Sequence, residues 1–159
     1  KRQYGTAFVI DDVAYICCGD NNGTLVDDLW KFDGSDWKQL RDIANNDSDE
    51  DYDDDYAITR AGTVSFVIDG RGYIATGTRS GVTSDYWVYD PEEDLWYGDS
   101  DDDYTPMTNV HNVSSGGSSR SYAVSFSTGK RGFVLSGSSG TSYFDDVYEL
   151  LPYEQEDVD

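Results

Sequence analysis

The stretch Arg60-Ala-Gly-Thr-Val-Ser-Phe66-Val-Ile68 is the middle one of three versions of a single pattern. The first version is Arg2-Gln-Tyr-Gly-Thr-Ala-Phe8-Val-Ile10, and the third is Arg120-Ser-Tyr-Ala-Val-Ser-Phe126-Ser-Thr128. The starting arginines are 58 (60 − 2) and 60 (120 − 60) residues apart. A fixed period that carries fixed offsets indicates an array of similar supersecondary units.

Further positions repeat downstream of each arginine. A second aromatic residue follows at +13, in Tyr15, Tyr73 and Phe133, and a glycine follows at +17, in Gly19, Gly77 and Gly137. Next comes an acidic residue with alternating large side chains, in Asp28-Leu-Trp30-Lys-Phe32-Asp33, Asp85-Tyr-Trp87-Val-Tyr89-Asp90 and Asp146-Val-Tyr148-Glu-Leu150. All four tryptophans, Trp30, Trp37, Trp87 and Trp96, fall at repeat positions, which predicts that they pack the units together.

Apolar residues within a unit form short runs and do not show helical spacing. The runs of the first unit are Thr6 to Ile10, Val13 to Cys18, Leu29 to Phe32 and Trp37 to Leu40. They are rich in β-branched and aromatic residues and are bounded by Asp, Asn and Gly, which predicts four strands and no helix. Turn sequences such as Asp69-Gly70 favour hairpins, so each unit is expected to be a four-stranded antiparallel meander.

The repeated motifs resemble the kelch family, including its bacterial surface members and the central domain of galactose oxidase. The segments that carry the resemblance are Tyr73-Ile-Ala-Thr-Gly77, Asp85-Tyr-Trp87-Val-Tyr89-Asp90 and Trp96. Cys17-Cys18, Ala75-Thr76 and Leu135-Ser136 depart from the family, which usually has paired glycines there. In the third unit Tyr148 replaces a tryptophan, and its outer strand is expected within Pro152 to Asp159.

This resemblance implies an all-β, kelch-type β-propeller with three four-stranded antiparallel blades. Residues 1–159 would form one propeller segment, with blade 1 at 2–59, blade 2 at 60–119 and blade 3 at 120–159. Three blades would be half of a ring of roughly six. Because a half ring exposes two apolar faces, a second copy or the missing blades of a longer chain is expected to complete it.

Charge and cysteine content limit the possible partners. The formal net charge is −21, which excludes nucleic acid as a partner because phosphate binding needs the opposite sign. No apolar segment predicts membrane insertion, and the resemblance places the protein in the bacterial periplasm or on the cell surface. Cys17 and Cys18 are adjacent on a strand, so they are expected to point to opposite faces as free, buried thiols.

One end of the predicted blades carries the long loops and is the expected binding face. Arg2, Arg60 and Arg120 each precede a first strand and could ring the mouth of a central channel, where they would hold an anionic group. Alternatively, each arginine pairs with aspartates of its own preceding loop. The further candidate ligand-binding residues are Tyr52, Tyr56, Arg79, Tyr104, Tyr143 and Phe144.

Two acidic runs form a weak candidate for a calcium site, because hard cations prefer clustered carboxylates. The residues are Asp49, Asp51, Asp53, Asp99, Asp101 and Asp103. Neither run has EF-hand spacing, since Tyr104 stands at the sixth position from Asp99, where the EF-hand loop requires glycine. Solvated loops are the alternative.

The sequence predicts a non-catalytic binding scaffold that presents acidic, tyrosine-bearing loops to a protein or glycan ligand. Catalysis is not expected, because His111 is the one histidine and no nucleophile, zinc or phosphate motif occurs. Copper radical oxidases of the family need paired Tyr and His ligands with a nearby Cys, which this chain does not supply. The alternatives are a carbohydrate-modifying enzyme whose site needs the missing blades, and a calcium-stabilised surface domain.

Overall fold

A computed structural model describes residues 1–44, 57–98, 110–112 and 119–150. These residues form antiparallel sheets connected by turns and loops, and none of them lies in a helix, which confirms the prediction of an all-β chain. It follows that no helix within the described ranges is long and apolar enough to span a membrane. The described strands form no closed ring, so the number of blades stays a prediction.

Sheet 1 contains the first repeat unit, and its four strands agree with the predicted bounds to within one residue at each end. A two-stranded hairpin lies between its second and third strands. The six strands are β1 (Thr6–Ile10), β2 (Val13–Cys17), β3 (Asp20–Asn21), β4 (Thr24–Leu25), β5 (Trp30–Phe32) and β6 (Trp37–Gln39). The order in the sheet is β1-β2-β5-β6, with Phe8 opposite Tyr15, so the unit is the expected meander.

Sheet 2 repeats this arrangement with the second unit. Its strands are β7 (Val64–Ile68), β8 (Arg71–Ala75), β9 (Tyr86–Asp90) and β10 (Leu95–Gly98). All neighbours are antiparallel, and Phe66 lies opposite Tyr73, as Phe8 lies opposite Tyr15. The offsets read from the sequence therefore correspond to the same register in both sheets.

Sheet 3 has the same order but takes its outer strand from an unexpected place. Its strands, with the hairpin β14–β15, are β11 (Val110–Asn112), β12 (Val124–Ser127), β13 (Gly132–Leu135), β14 (Ser138–Ser139), β15 (Ser142–Tyr143) and β16 (Val147–Leu150). The outer strand β11 pairs with β16 and precedes Arg120 in the chain. β11 lies within the bounds predicted for blade 2, 60–119, and the outer strand predicted for blade 3, Pro152 to Asp159, lies outside the described residues.

The three sheets lie side by side in chain order and enclose two apolar cores. The first core lies between sheets 1 and 2 and contains Phe8, Ile10, Tyr15, Cys17, Cys18, Leu29, Ile43, Ile58, Ile74, Tyr89 and Trp96. The second lies between sheets 2 and 3 and contains Val64, Phe66, Ile68, Tyr73, Ala75, Tyr86, Val88, Val134, Tyr148 and Leu150. Sheet 2 therefore packs against a sheet on both faces, whereas sheets 1 and 3 each have one face on which no other sheet of the described residues packs.

The tryptophans follow this division between covered and open faces. Trp96 is buried in the first core, and Trp87 packs against that core. Trp37 holds the same place in sheet 1 as Trp96 in sheet 2, yet it is 53% exposed and stacks on Phe32 at 4.8 Å. The predicted packing role is therefore confirmed for Trp87 and Trp96, while Trp37 lies on the open face of sheet 1.

Both cysteines are free and fully buried, as predicted, but they do not point to opposite faces. Cys18 has a φ of 61°, which ends the strand and breaks the alternation of side chains. The two thiols interact, and the hydrogen bond between them raises the pKa of Cys17 above its usual range, an effect that burial reinforces. Cys18 Sγ also donates to the carbonyl oxygen of Ile58 at 3.8 Å.

Replacing Gly72 with alanine is expected to destabilise the first core. A Cβ atom at Gly72 would lie 2.3 Å from Cε2 of Phe8, closer than van der Waals contact allows. Overpacking of this kind costs about 2 kcal/mol of unfolding free energy. Chemical denaturation of G72A measures this loss.

The matched control for this substitution is Gly81→Ala, since a Cβ atom at Gly81 meets nothing within 4 Å. Its unfolding free energy should change by less than about 0.5 kcal/mol, as at an ordinary surface site. Equal stability of G72A and G81A would contradict the close contact between Phe8 and sheet 2.

Candidate functional site

The first strands of the three units, β1, β7 and β12, lie next to one another, and we call them the inner strands. The candidate site is the end of the sheets at which these strands begin; we call it the loop end. The segment after each arginine pairs there with the segment that follows the second strand of the same unit. The bridges join Gln3 to Asp20, Ala61 to Thr78 and Ser121 to Ser138. The loops after the second strands and the loops before the first strands therefore share one end, as predicted.

Arg60 is fully buried at this end, and its guanidinium group is saturated with acceptors. Nη1 and Nη2 each donate to one carboxylate oxygen of Asp85 at 2.8 Å. Nη1 also donates to the carbonyl oxygen of Thr76 at 3.0 Å, and Nε to that of Ile58 at 2.9 Å. A bidentate Arg–carboxylate pair with additional backbone acceptors is a strong, directional arrangement.

Arg120 makes the same contacts in the third unit. Nη1 donates to the carbonyl oxygen of Ser136 at 2.8 Å, and the two terminal nitrogens bind Asp146 at 2.5 and 3.0 Å. The guanidinium carbon also lies 4.5 Å from the ring centre of Phe144 and 4.4 Å from that of Tyr148. Arg120 is thus held between two aromatic rings as well as by its acceptors.

Arg2 completes the series, since it donates to the carbonyl oxygen of Cys18 at 2.9 Å and pairs with Asp28. The partner aspartate therefore precedes the third strand in each unit. The alternative interpretation of the sequence placed it in the preceding loop and was wrong on this point. Burial raises the pKa of Asp85, but its hydrogen bonds and ion pair with Arg60 outweigh that effect and hold this pKa below its usual range.

The three arginines thus have a structural role, which their repeated geometry explains. Each one binds the carbonyl oxygen of the residue that directly follows the second strand and the aspartate that precedes the third strand. In two of these ion pairs the arginine side chain is buried, since Arg60 is 0% exposed and Arg120 is 1% exposed. A ligand-binding role for Arg2, Arg60 and Arg120 stays a prediction.

Two exposed tyrosines, which sequence analysis did not single out, meet at the loop end. Tyr4 and Tyr122 are 52% and 58% exposed, and their rings make an edge-to-face contact with centroids 5.3 Å apart. They come from the first and third units, two residues after Arg2 and Arg120. The middle unit has Gly62 there, and a Cβ atom at Gly62 would lie 3.0 Å from Cε1 of Tyr122. The missing side chain of Gly62 makes room for the pair.

The backbone segments at these three positions have similar conformations and are hydrogen-bonded to one another. Tyr4, Gly62 and Tyr122 all have left-handed φ angles, of 58°, 65° and 56°. The Gly62 N–H donates to the carbonyl oxygen of Tyr4 at 3.0 Å, and the Tyr122 N–H donates to that of Gly62 at 2.9 Å. This chain of hydrogen bonds fixes the two rings on adjacent, rigid segments.

An open groove of about 300 Å³ runs along the strands β1, β7 and β12. Its walls are uncharged residues of all three sheets: Ala7, Phe8, Val9, Ser65, Phe66, Val67, Phe126 and Ser127. The groove carries no charged side chain in its lining, so it contrasts with the strongly acidic chain as a whole.

The remaining described candidates differ in exposure. Tyr143 is 85% exposed in the β14–β15 hairpin, and Arg79 is exposed in the corresponding loop of sheet 2. Phe144 is half-buried against Arg120, which is a packing contact. Tyr143 and Arg79 are therefore accessible at the loop end, whereas Phe144 supports Arg120.

The other candidates lie outside the described residues, namely Tyr52, Tyr56, Tyr104, Asp49, Asp51, Asp53, Asp99, Asp101 and Asp103. Their proposed ligand and calcium contacts stay predictions. Within the part of the chain that the structure describes, no three His, Cys, Asp or Glu side chains are grouped closely enough to hold a metal ion.

Comparison of the chain with protein-family models and with curated proteins gives no match. The resemblance to the kelch family therefore rests on the repeated motifs alone and stays a prediction.

Replacing Arg60 with methionine is expected to destabilise the protein strongly. The substitution keeps the aliphatic volume but leaves Asp85 and three backbone carbonyl groups, those of Ala57, Ile58 and Thr76, without their donor. Removing one partner from a buried pair costs about 3 kcal/mol of unfolding free energy. Chemical denaturation of R60M measures this cost.

Arg131→Met is the matched control, because Arg131 pairs with Glu149 while its side chain is 55% exposed. An exposed pair contributes little, so R131M should unfold close to the wild-type midpoint. If R60M unfolds at the same denaturant concentration as R131M, the structural role of Arg60 is wrong.

Proposed function

We propose that this chain is a non-catalytic binding scaffold, in which three consecutive blades of a kelch-like propeller present the loop end to a protein or glycan ligand. We place its action outside the bacterial cytoplasm, on the basis of the family resemblance. The observation that carries the binding proposal is the exposed Tyr4–Tyr122 pair on a rigid, hydrogen-bonded base.

The packing of the sheets supports the propeller arrangement. The inner strands of successive sheets are neighbours, since Ser65 Oγ of β7 donates to the carbonyl oxygen of Ala7 in β1 at 2.8 Å. Ser125 Oγ of β12 donates to that of Ser65 at 2.7 Å. Four-stranded antiparallel sheets that stack face to face with their first strands innermost are the building plan of a propeller.

The tyrosine pair supports binding because its properties match those of interface anchors. Tyrosine supplies a large, rigid and amphipathic surface at a small entropic cost, and it is enriched among residues that dominate binding energy. Tyr4 and Tyr122 each expose about half of their surface, at 52% and 58%. Exposed Tyr143 and Arg79 extend this surface across two further loops.

The charge of the chain favours one class of protein ligand. With a net charge of −21, the protein attracts cationic surfaces and repels anionic ones. Charge complementarity of this kind raises association rates and selects partners, while aromatic anchors supply most of the affinity. A basic protein surface, or a neutral glycan that stacks on the tyrosines, fits both features.

Alanine substitutions of the pair are expected to weaken binding without loss of stability. The chain is first screened against an array of defined oligosaccharides and against basic proteins such as lysozyme. For whatever binds, titration calorimetry of Tyr4→Ala and Tyr122→Ala should give dissociation constants at least about tenfold higher, as for anchor residues.

Lys38→Ala serves as the control, because Lys38 is exposed on the outer strand β6, far from the inner strands. It should bind like the wild type, and all three variants should melt at the wild-type temperature. Unchanged affinity of Y4A and Y122A would overturn the proposed site, and turnover of a carbohydrate would overturn the non-catalytic scaffold.

A further inference from the structure

Both described interfaces between sheets use the same contact, an aromatic ring seated on a glycine. A Cβ atom at Gly72 would lie 2.3 Å from Cε2 of Phe8, and a Cβ atom at Gly132 would lie 2.3 Å from Cε2 of Phe66. Each glycine directly precedes the central aromatic residue of its second strand, Tyr73 or Phe133. A side chain at this position is therefore incompatible with the ring of the preceding unit in the observed geometry.

A hydroxyl group accompanies this contact at both interfaces. Ser65 reaches back to the carbonyl oxygen of Ala7 at 2.8 Å, and Ser125 reaches back to that of Ser65 at 2.7 Å. A unit that packs behind another thus carries two features: a serine on its first strand and a glycine on its second strand. Both features lie on the face that is turned towards the preceding unit.

Sheet 3 has the same kind of face with which sheets 1 and 2 contact the unit that follows them. Among the described residues, no further sheet packs on this face. Phe126 stacks on Phe133 at 4.7 Å, as Phe8 stacks on Tyr15 at 5.3 Å. Yet Phe126 is 49% exposed, whereas Phe8 is 4% exposed. Val124 is 62% exposed, although Val64 at the same place in sheet 2 is 5% exposed.

The backbone of sheet 3 presents the corresponding hydrogen-bonding group. Gly19 and Gly77 each donate their N–H to the carbonyl oxygen of the arginine that opens the next unit, Arg60 or Arg120, at 2.7 Å. Gly137 is the next glycine of this series, and no arginine of a following unit lies among the described residues to accept from it. Sheet 3 therefore has the same apolar surface, and in Gly137 the same backbone amide, with which the first two units contact the unit that follows them.

We propose that the open face of sheet 3 is a docking surface for a further unit of this repeat type, one that carries glycine before its central second-strand aromatic and serine on its first strand. The proposal rests on the blade arrangement proposed above and names the chemistry of the missing neighbour. Phe126 would seat on the glycine, and the serine would donate to the carbonyl oxygen of Ser125. The backbone carbonyl oxygen of the neighbour's starting arginine would accept from the N–H of Gly137.

The first unit of a second copy does not fit this description. Ala14 directly precedes Tyr15, so it stands where Gly72 and Gly132 stand in the other units. Ala7 stands where Ser65 and Ser125 stand. The Cβ atom of Ala14 would collide with Phe126, and Ala7 has no hydroxyl group to donate. The required neighbour is therefore a different unit, although Trp37 and Phe32 make the open face of sheet 1 apolar as well.

Giving the first unit the two missing features tests this rule. The double variant Ala7→Ser/Ala14→Gly should accept sheet 3 of a second copy and close into a dimer. Because the double variant removes the steric clash and adds a hydroxyl donor, sedimentation equilibrium should show a dissociation constant at least about fivefold lower than for the wild type. Adding Phe126→Ala to the double variant should abolish this gain.

Three outcomes would overturn the proposal. The first is a wild-type dimer as tight as that of the double variant, which would make the second copy itself the occupant. The second is a double variant that folds but associates no better than the wild type. The third is a gain that survives F126A, since association would then use another surface.

Circular dichroism and thermal melting establish that each variant is folded. If the Ala14→Gly substitution unfolds β2, the Ala7→Ser single variant carries the test, because Ala7 is exposed on β1 and its substitution leaves the core intact. Its gain in association should be smaller than that expected for the double variant, and F126A should again remove it. No gain from A7S would then count against the proposal. Binding of the scaffold's ligand at Tyr4 and Tyr122 is measured separately, so the two proposals fail independently.

Discussion

The ion pair between the starting arginine and its aspartate connects two strands within each unit, and the arginine's backbone connects one sheet to the next. The side chain of Arg60 joins the end of the second strand to the start of the third strand, through the carbonyl oxygen of Thr76 and the carboxylate of Asp85. Its own carbonyl oxygen accepts from Gly19 in the preceding unit at 2.7 Å. One residue thus closes its own sheet and ties that sheet to its neighbour.

The arginines also bind three residues whose backbone conformation is strained. Cys18, Thr76 and Ser136 have φ angles of 61°, 61° and 56°, a left-handed region that disfavours side chains. Each offers its carbonyl oxygen to the arginine of its own unit, so charged hydrogen bonds offset the backbone strain. The strained residue and the arginine therefore form one structural arrangement that occurs in all three units.

Much of the fold could be predicted from the sequence, because the period and the turn residues determine short antiparallel strands. The four strands of sheet 1 fall within a residue of their predicted bounds, and the strands of sheet 2 follow the same order. The outer strand of sheet 3 could not be predicted, since β11 has only three residues and pairs with β16 across a long separation in sequence. The arrangement of Cys18 was also missed, because alternation fails once a residue adopts a left-handed φ.

The candidate site was only partly predictable for a similar reason. The repeat pointed to the arginines, but their burial depends on tertiary contacts that spacing does not reveal. The Tyr4–Tyr122 contact was not predicted, because it joins units that are not adjacent in sequence. The residues two positions after the starting arginines, Tyr4, Gly62 and Tyr122, could have indicated it. Hydrogen exchange of the Gly19 and Gly77 amides tests the central claim most directly. We predict that both exchange only through global unfolding, far more slowly than the exposed amide of Gly34, and exchange as fast as that of Gly34 would contradict the account.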